Sequence, residues 1–237
     1  MLEDAIGYPW RGEQNVARIL IGGILGALVF FIVPLFLGNG YLVRVVRQVA
    51  VGDTETPPAF DDWGEMFVDG LVSLLIMFVY ILVPSVVFTG LLVGISSVLD
   101  TTGTGGGAIS GMAVALLLVF GLVALLMALA ALYLLPAAWA AYAVTGKFGS
   151  AFSPSTLRTV GGDKRYLVGV LIAVVIHFVV QFVSNMMFLT IVGILVIPFM
   201  VFYGNVASAY AIGAGVAETG LVTDQREPES NVGHSPY

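Results

Sequence analysis

The sequence predicts an all-α fold, a polytopic bundle of transmembrane helices. A hydrocarbon core of about 30 Å takes about 20 apolar residues to cross as a helix. Long stretches without a formal charge meet that length: residues 19–43, 71–99, 101–146 and 166–217. These stretches do not alternate apolar with polar residues, which excludes a transmembrane barrel. The composition agrees, since 59% of the 237 residues are hydrophobic, 10% are charged and the mean hydropathy is +1.01.

The sequence predicts five crossings, with six as the alternative. Helix 1 is expected from about residue 19 to 37, with an interfacial continuation over residues 42–50. Helix 2 is expected from Asp62 to about residue 99. Asp62 is the predicted N-cap, because Glu65 follows it at the spacing of a capping box.

The stretch 108–146 decides between five and six crossings. As one helix it would be about 58 Å long, too long for one crossing and tight for two with a turn. We expect one crossing, helix 3, that ends near Pro136 and continues in the interface. Helix 4 over residues 166–187 and helix 5 over residues 191–217 complete the predicted bundle.

The remaining sequence does not predict a soluble domain. The longest charged interval, residues 44–69, is too short to form one. We expect an interfacial N-terminal segment over residues 1–18, a transmembrane helical domain over residues 19–217 and a disordered polar tail over residues 218–237.

Lysine and arginine predict the orientation. With five crossings, the two charged loops and the tail share one side and hold seven of the nine cations: Arg44, Arg47, Lys147, Arg158, Lys164, Arg165 and Arg226. Arg11 and Arg18 would lie on the other side. The positive-inside rule then predicts a cell-membrane protein with its N-terminus outside and its C-terminus in the cytoplasm.

A possible internal sequence repeat favours a duplicated helical hairpin. A proline followed by a tyrosine recurs near the ends of helices 1, 3 and 5: Pro34 and Tyr41, Pro136 and Tyr142, Pro198 and Tyr203. Parallel repeats of this kind occur in transporter folds. Helix exits in general can show the same pattern, so both interpretations stay open.

The segment from Gly40-Tyr41 to Asp69-Gly70 is the most distinctive part of the chain. It contains Arg44, a Gly52-Asp53 turn and the run Pro58-Ala-Phe-Asp-Asp-Trp-Gly64. The segment resembles the signature of an uncharacterised, largely archaeal membrane family, domain of unknown function 4013. The resemblance implies a helical membrane fold, and it implies no activity and no catalytic residues, because none is assigned to that family.

Charged residues in this segment form a candidate cluster at the cytoplasmic mouth: Arg44, Arg47, Asp61, Asp62, Glu65 and Asp69. Three of the acids share one helix face because they lie at positions i, i+3 and i+7. One hypothesis is a site for a cation or a polar ligand. The other is a capped helix start whose carboxylates pair with the two arginines. We also expect this loop to fold against the bundle, with Phe60 and Trp63 as interfacial anchors.

Predicted helix 4 carries a polar stripe of His177, Gln181, Ser184 and Asn185, all near one face. Polar side chains at membrane depth are costly and usually face a bundle interior or a wet cavity. The stripe predicts either hydrogen bonds between packed helices or a proton relay and substrate path with His177 as the titrating group.

The sequence lacks signals for enzyme chemistry. It contains no cysteine and two histidines, which excludes ordinary zinc sites and thiolate chemistry, and we expect no metal, cofactor or catalytic residues. The net charge of −6 argues against a nucleic-acid partner. The expected function is that of a non-enzymatic packing, scaffold or membrane-organising protein, with a small-solute or proton-coupled transporter or channel as the alternative. Expected partners are the lipid bilayer and, through small-residue helix faces, a homo- or hetero-oligomer.

Overall fold

The structure, a computed structural model, describes residues 1–28, 31–101, 111–217, 219, 221 and 222. This part of the chain contains helices and no strand, which confirms the all-α prediction. The α-helices are α1 (Leu2–Gly7), α2 (Asn15–Ala27), α3 (Ile32–Ala50), α4 (Trp63–Thr101), α5 (Gly111–Thr145), α6 (Pro154–Gly161), α7 (Lys164–Met187) and α8 (Ile191–Val216). Two short 3-10 helices cover Tyr8–Trp10 and Phe148–Phe152. The predicted disordered tail lies almost wholly outside the described residues.

Four helices are long and apolar enough to cross a membrane: α4, α5, α7 and α8. The continuous helix α5 agrees with one crossing over the long third apolar stretch. Predicted helix 1 differs, because it consists of α2 and α3, separated by residues 28–31. The described residues therefore contain four candidate membrane-spanning helices, not the five that were predicted or the six of the alternative.

The break in predicted helix 1 has a local cause. Phe31, directly before α3, is extended, with φ −88° and ψ 135°. Pro34 then lies in the first turn of α3, where its missing N–H would have no intrahelical partner in any case. Pro34 thus begins a helix, whereas the sequence pattern placed it near a helix end.

The described chain divides into two compact units. The main unit comprises Met1–Ile76 and Pro136–Tyr237, and the second unit comprises Met77–Leu135. The second unit contains the distal part of α4 and the larger part of α5, both apolar on all sides. A cavity of about 410 Å³ is lined by Gly90 and Gly94 of α4 and Phe120 of α5.

Within the main unit, α2 and α3 form a helical hairpin on α8. Gly26 lies against Pro198, and Gly22 lies against the ring of Phe202, so α2 runs antiparallel to α8. Helix α3 runs parallel to α8, because Tyr41 packs on Phe202 while Val49, later in α3, packs on Gly213. The start of α2 and the end of α3 therefore return to the same end of α8.

The N-terminal segment contacts the loop that follows α3. The Tyr8 hydroxyl donates to the Thr56 carbonyl at 3.3 Å, and Arg11 Nη1 donates to the Thr54 carbonyl at 2.8 Å. Tyr8 is fully buried, with its ring centroid 4.6 Å from that of Tyr210, and this burial raises the pKa of its hydroxyl. The N-terminal segment and the loop after α3 therefore lie together, at the same end of the α2–α3 hairpin.

Helices α7 and α8 form the closest pair of the main unit. Asp163 caps α7 by accepting from the Arg165 N–H at 2.7 Å, and Thr190 caps α8 by accepting from the Gly193 N–H at 2.9 Å. Gly169 of α7 lies directly against the Ala211 carbonyl of α8, a contact that leaves no room for a side chain. The predicted boundaries of helices 4 and 5 are confirmed to within two residues.

Candidate functional site

The charged cluster is built where α3 crosses the start of α4. A Cβ on Gly40 would collide with the Met66 carbonyl, and one on Gly70 would collide with the Phe36 carbonyl. These two glycines therefore allow the two backbones to touch. The long side chains of Arg44 and Arg47, one and two turns further along α3, then reach the first two turns of α4 and the loop before it.

Arg44 holds the end of the loop and the first turn of α4. Its Nη1 donates to the Asp61 carboxylate at 2.7 Å and to the Asp61 carbonyl at 2.8 Å. Its Nη2 donates to Glu65 Oε2 at 3.1 Å and to the Asp62 carbonyl at 3.2 Å. One guanidinium thus binds two carboxylates and two backbone oxygens.

Arg47 joins three helices. Its Nη1 donates to Glu65 Oε1 at 3.1 Å, and its Nη2 lies 2.9 Å from the Asp69 carboxylate. Its Nε donates to the Ala143 carbonyl of α5 at 2.9 Å. The Tyr142 hydroxyl also donates to Asp69, at 2.7 Å. The end of α5 is thereby fastened to α3 and α4, a contribution that sequence analysis missed because about 73 residues separate Asp69 from Tyr142.

Asp62 has a backbone role in the cluster. It lies directly before α4, at the predicted N-cap position, and its carbonyl accepts from the Met66 N–H at 3.1 Å. Its φ of +49° is in the left-handed region, which Asp tolerates better than most residues. Glu65 does not act as the predicted capping-box partner, because its carboxylate oxygens accept from Arg44 and Arg47.

Burial separates the strong ion pair from the weak ones. The Asp69 side chain is 7% exposed, whereas that of Asp61 is 74% exposed. Exposed pairs typically contribute about 0–1 kcal/mol, while a buried carboxylate left without its partner is costly. The cluster therefore acts chemically as a structural clamp, with its buried end at Asp69. Within the described part of the chain, no three His, Cys, Asp or Glu side chains are placed to hold a metal ion.

Aromatic rings dock the loop onto the helices. The Phe60 ring stacks on Tyr41 with centroids 4.1 Å apart, and it lies 6.1 Å from Phe202. The Tyr41 hydroxyl donates to the Pro58 carbonyl at 3.1 Å. The expectation that this loop folds against the bundle is confirmed. Trp63 remains exposed, as the predicted role of interfacial anchor requires.

The predicted polar stripe lies on α7, and the structure separates its members. Ser184 is buried, with a hydroxyl that has no hydrogen-bond partner, while His177, Gln181 and Asn185 are exposed. The Asn185 amide donates to the Gln181 carbonyl at 2.7 Å. The three exposed members thus point away from the core of the main unit.

A second polar feature lies beside the α2–α3 hairpin. A cavity of about 340 Å³ between α2, α3 and α8 is lined by Gly22, Pro34, Pro198 and two asparagines, Asn39 and Asn205. The Asn39 amide donates to the Leu35 carbonyl at 2.8 Å, which leaves its side-chain oxygen available to accept. Gly22 and Gly26 line the cavity and also pack on α8, so this small-residue pair serves packing inside the chain.

The family model described as "Protein of unknown function (DUF4013)" matches residues 25–189. The match begins near the end of α2 and ends just after α7, so it includes the whole charged cluster and the polar stripe. No curated protein and no solved structure matches the chain.

Proposed function

The chain belongs to the DUF4013 family, whose function is unknown. We propose from the structure that the protein is a non-enzymatic membrane protein, which acts by packing its helices against other components of the membrane. Such a protein would serve as a scaffold or would organise other components of the membrane. Its partners would be lipid and other transmembrane helices. The net charge of −6 argues against nucleic acid.

The position of the polar stripe carries this proposal. A transport path needs polar groups around an interior route, whereas His177, Gln181 and Asn185 are exposed on the outer face of α7. Polar groups that face outward from a membrane helix are suited to hydrogen bonds with another helix. The clamp supports the same interpretation, because Arg44 and Arg47 are engaged by carboxylates and backbone carbonyls.

We propose an orientation in which both termini and both charged loops are cytoplasmic. The N-terminal segment contacts the loop after α3, and the start of α7 packs against the end of α8, near Gly215. All eight described lysines and arginines then lie on one side: Arg11, Arg18, Arg44, Arg47, Lys147, Arg158, Lys164 and Arg165. The positive-inside rule makes that side the cytoplasm.

Cysteine labelling tests this orientation, because the chain has no cysteine of its own. The variants Glu3→Cys, Glu55→Cys and Ser155→Cys would be exposed to a membrane-impermeant maleimide. We expect all three to react in inside-out vesicles and none in intact cells. If Glu3→Cys is labelled from outside while the other two variants are protected, the chain crosses the membrane once before α4, and the proposed orientation is overturned.

A small-solute transporter is the second candidate, and the cavity beside the α2–α3 hairpin favours it. Its volume of about 340 Å³ is within the range of ligand sites, and Asn39 and Asn205 offer amide groups to a neutral polar solute. This cavity is the place where a solute path would have to begin.

Flux measurements distinguish the two candidates. Purified chain in sealed liposomes would be assayed for proton leak with an internal dye and for glycerol and urea entry by light scattering. The packing proposal expects rates equal to those of protein-free liposomes. Protein-dependent flux that is lost in Asn39→Leu and Asn205→Leu, and kept in Gln181→Leu, would establish the transporter instead.

A further inference from the structure

The outer face of α7 carries a seam with the spacing of a coiled coil. Its members recur at alternating intervals of four and three residues, and all are exposed: Leu167, Leu171, Val174, Phe178, Gln181 and Asn185. The opposite face, with Gly169, Ala173 and Ile176, is buried. Alternation of three and four is the pattern by which two helices interdigitate over several turns. Phe178, at the middle of the seam, is 71% exposed.

The polar end of this seam identifies the kind of surface that covers it. Gln181 and Asn185 fill two consecutive seam positions, and His177 lies beside them. An amide side chain both donates and accepts, and neutral histidine also does both. Each of these groups can therefore pair with an identical group. A polar residue at a single core position of a coiled coil fixes register and partner number.

Membrane symmetry adds a second constraint. Two copies of one chain inserted with the same orientation are related by a two-fold axis along the membrane normal. Helix α7 of one copy then runs parallel to α7 of the other, and equivalent residues meet at equal depth. Gln181 faces Gln181 and Asn185 faces Asn185, which is the pairing that their self-complementary amides require.

We propose that the partner of this α7 seam is a second copy of the same chain, packed parallel with α7 against α7. This inference rests on the proposed packing function and names its partner. Gln181 and Asn185 set the register through hydrogen bonds across the axis. Leu171, Val174 and Phe178 supply the apolar packing.

Disulfide crosslinking in the membrane tests the pairing, since the chain has no cysteine and every introduced thiol is unique. Val174→Cys and Phe178→Cys place a thiol on the seam and keep both amides. Val179→Cys is the matched control, because it is 53% exposed at nearly the same depth but lies about 120° around the helix from the seam, at 100° per residue. Under a mild oxidant we expect dimers from the two seam variants and few from Val179→Cys.

The register is tested in the Phe178→Cys background. Changing Gln181 and Asn185 to Leu should lower the dimer association constant by about fivefold, the usual effect of interhelical hydrogen bonds in membranes. The measurement is crosslink yield across a series of falling protein-to-lipid ratios. Equal yields with and without the two amides would overturn their role.

Three results would overturn the proposed dimer. They are equal crosslinking at Val179 and the seam, no dimer at any position while every thiol reacts with maleimide, and a seam adduct formed only with a different protein. Flux assays give an independent result. A chain that stays monomeric and shows no flux would overturn the dimer and leave the packing function standing. A dimer that conducts solute or protons would support the dimer and overturn the packing function.

Discussion

The two charged regions of this chain use their cations in different ways. Around the loop after α3, Arg44 and Arg47 are bound by Asp61, Glu65 and Asp69. From the end of α5 to the first residue of α7, Lys147, Arg158 and Lys164 are exposed, and the one acid, Asp163, caps α7. The first region pairs its cations with carboxylates of the fold, one of which is buried, whereas the second presents its cations to the surroundings.

This difference shows that equal charges in a sequence need not have equal roles. For orientation, every cation at one end of the helices counts alike, because the positive-inside rule sums lysines and arginines near the membrane. For stability, only those with buried partners matter. Arg47 meets that condition through Asp69, and Arg158 does not.

The largest expected effect is that of Arg47→Met. It leaves the buried Asp69 carboxylate without a counter-ion and the Ala143 carbonyl without its donor. We expect the free energy of unfolding in detergent to fall by about 3 kcal/mol. The control is Arg158→Met, the same change at an exposed position, for which we expect less than about 0.5 kcal/mol. Equal losses would show that the two regions do not differ.

A smaller loss of stability is expected when a carboxylate of the clamp, rather than Arg47, is changed. Asp69→Asn removes a buried charge that accepts from Arg47 and Tyr142, and we expect a loss of about 2 kcal/mol. Asp61→Asn makes the same chemical change at a side chain that is 74% exposed, where we expect less than about 1 kcal/mol. Chemical denaturation of both variants in one detergent gives the comparison. A larger loss for Asp61→Asn would place the clamp at its exposed end.

The smallest effect is expected from the second region. The triple variant Lys147→Gln, Arg158→Gln and Lys164→Gln should keep the thermal midpoint of the parent in a neutral detergent. In nanodiscs rich in anionic lipid, the parent should be stabilised by about 1 kcal/mol per cation near the surface, and the triple variant should lose that gain. Thermal unfolding in both media measures it. A lower midpoint in neutral detergent would show that these cations have partners within the fold.

The sequence predicted the local parts of this molecule well. Helix α7 was bounded to within two residues because a long uncharged apolar run begins directly after two basic residues. Pairing of Arg44 and Arg47 with the acids was foreseen as one of two hypotheses, because these charges are close in sequence and opposite in sign. The docking of the loop through Phe60 followed from the same proximity.

Features that depend on direction or on distant residues were missed. Residues 28–33 are all apolar, so hydropathy has no signal for the reversal between α2 and α3, and one crossing was predicted instead. That prediction also separated Arg11 from the first loop, whereas the structure shows Arg11 Nη1 donating to the Thr54 carbonyl of that loop. The contacts of Tyr142 and Ala143 with the clamp depend on how α5 returns to α3, which spacing along the chain does not encode.

The α2–α3 hairpin has a consequence for the order in which the protein matures. Gly22 and Gly23 of α2 pack against Phe202 and Phe199, which lie on α8. On the ribosome the hairpin emerges early, yet the surface that holds it is synthesised only after α4, α5 and α7. A nascent chain that stalls before α8 therefore carries an undocked hairpin. A membrane protease could recognise that exposed hairpin and so distinguish an incomplete chain from a folded one.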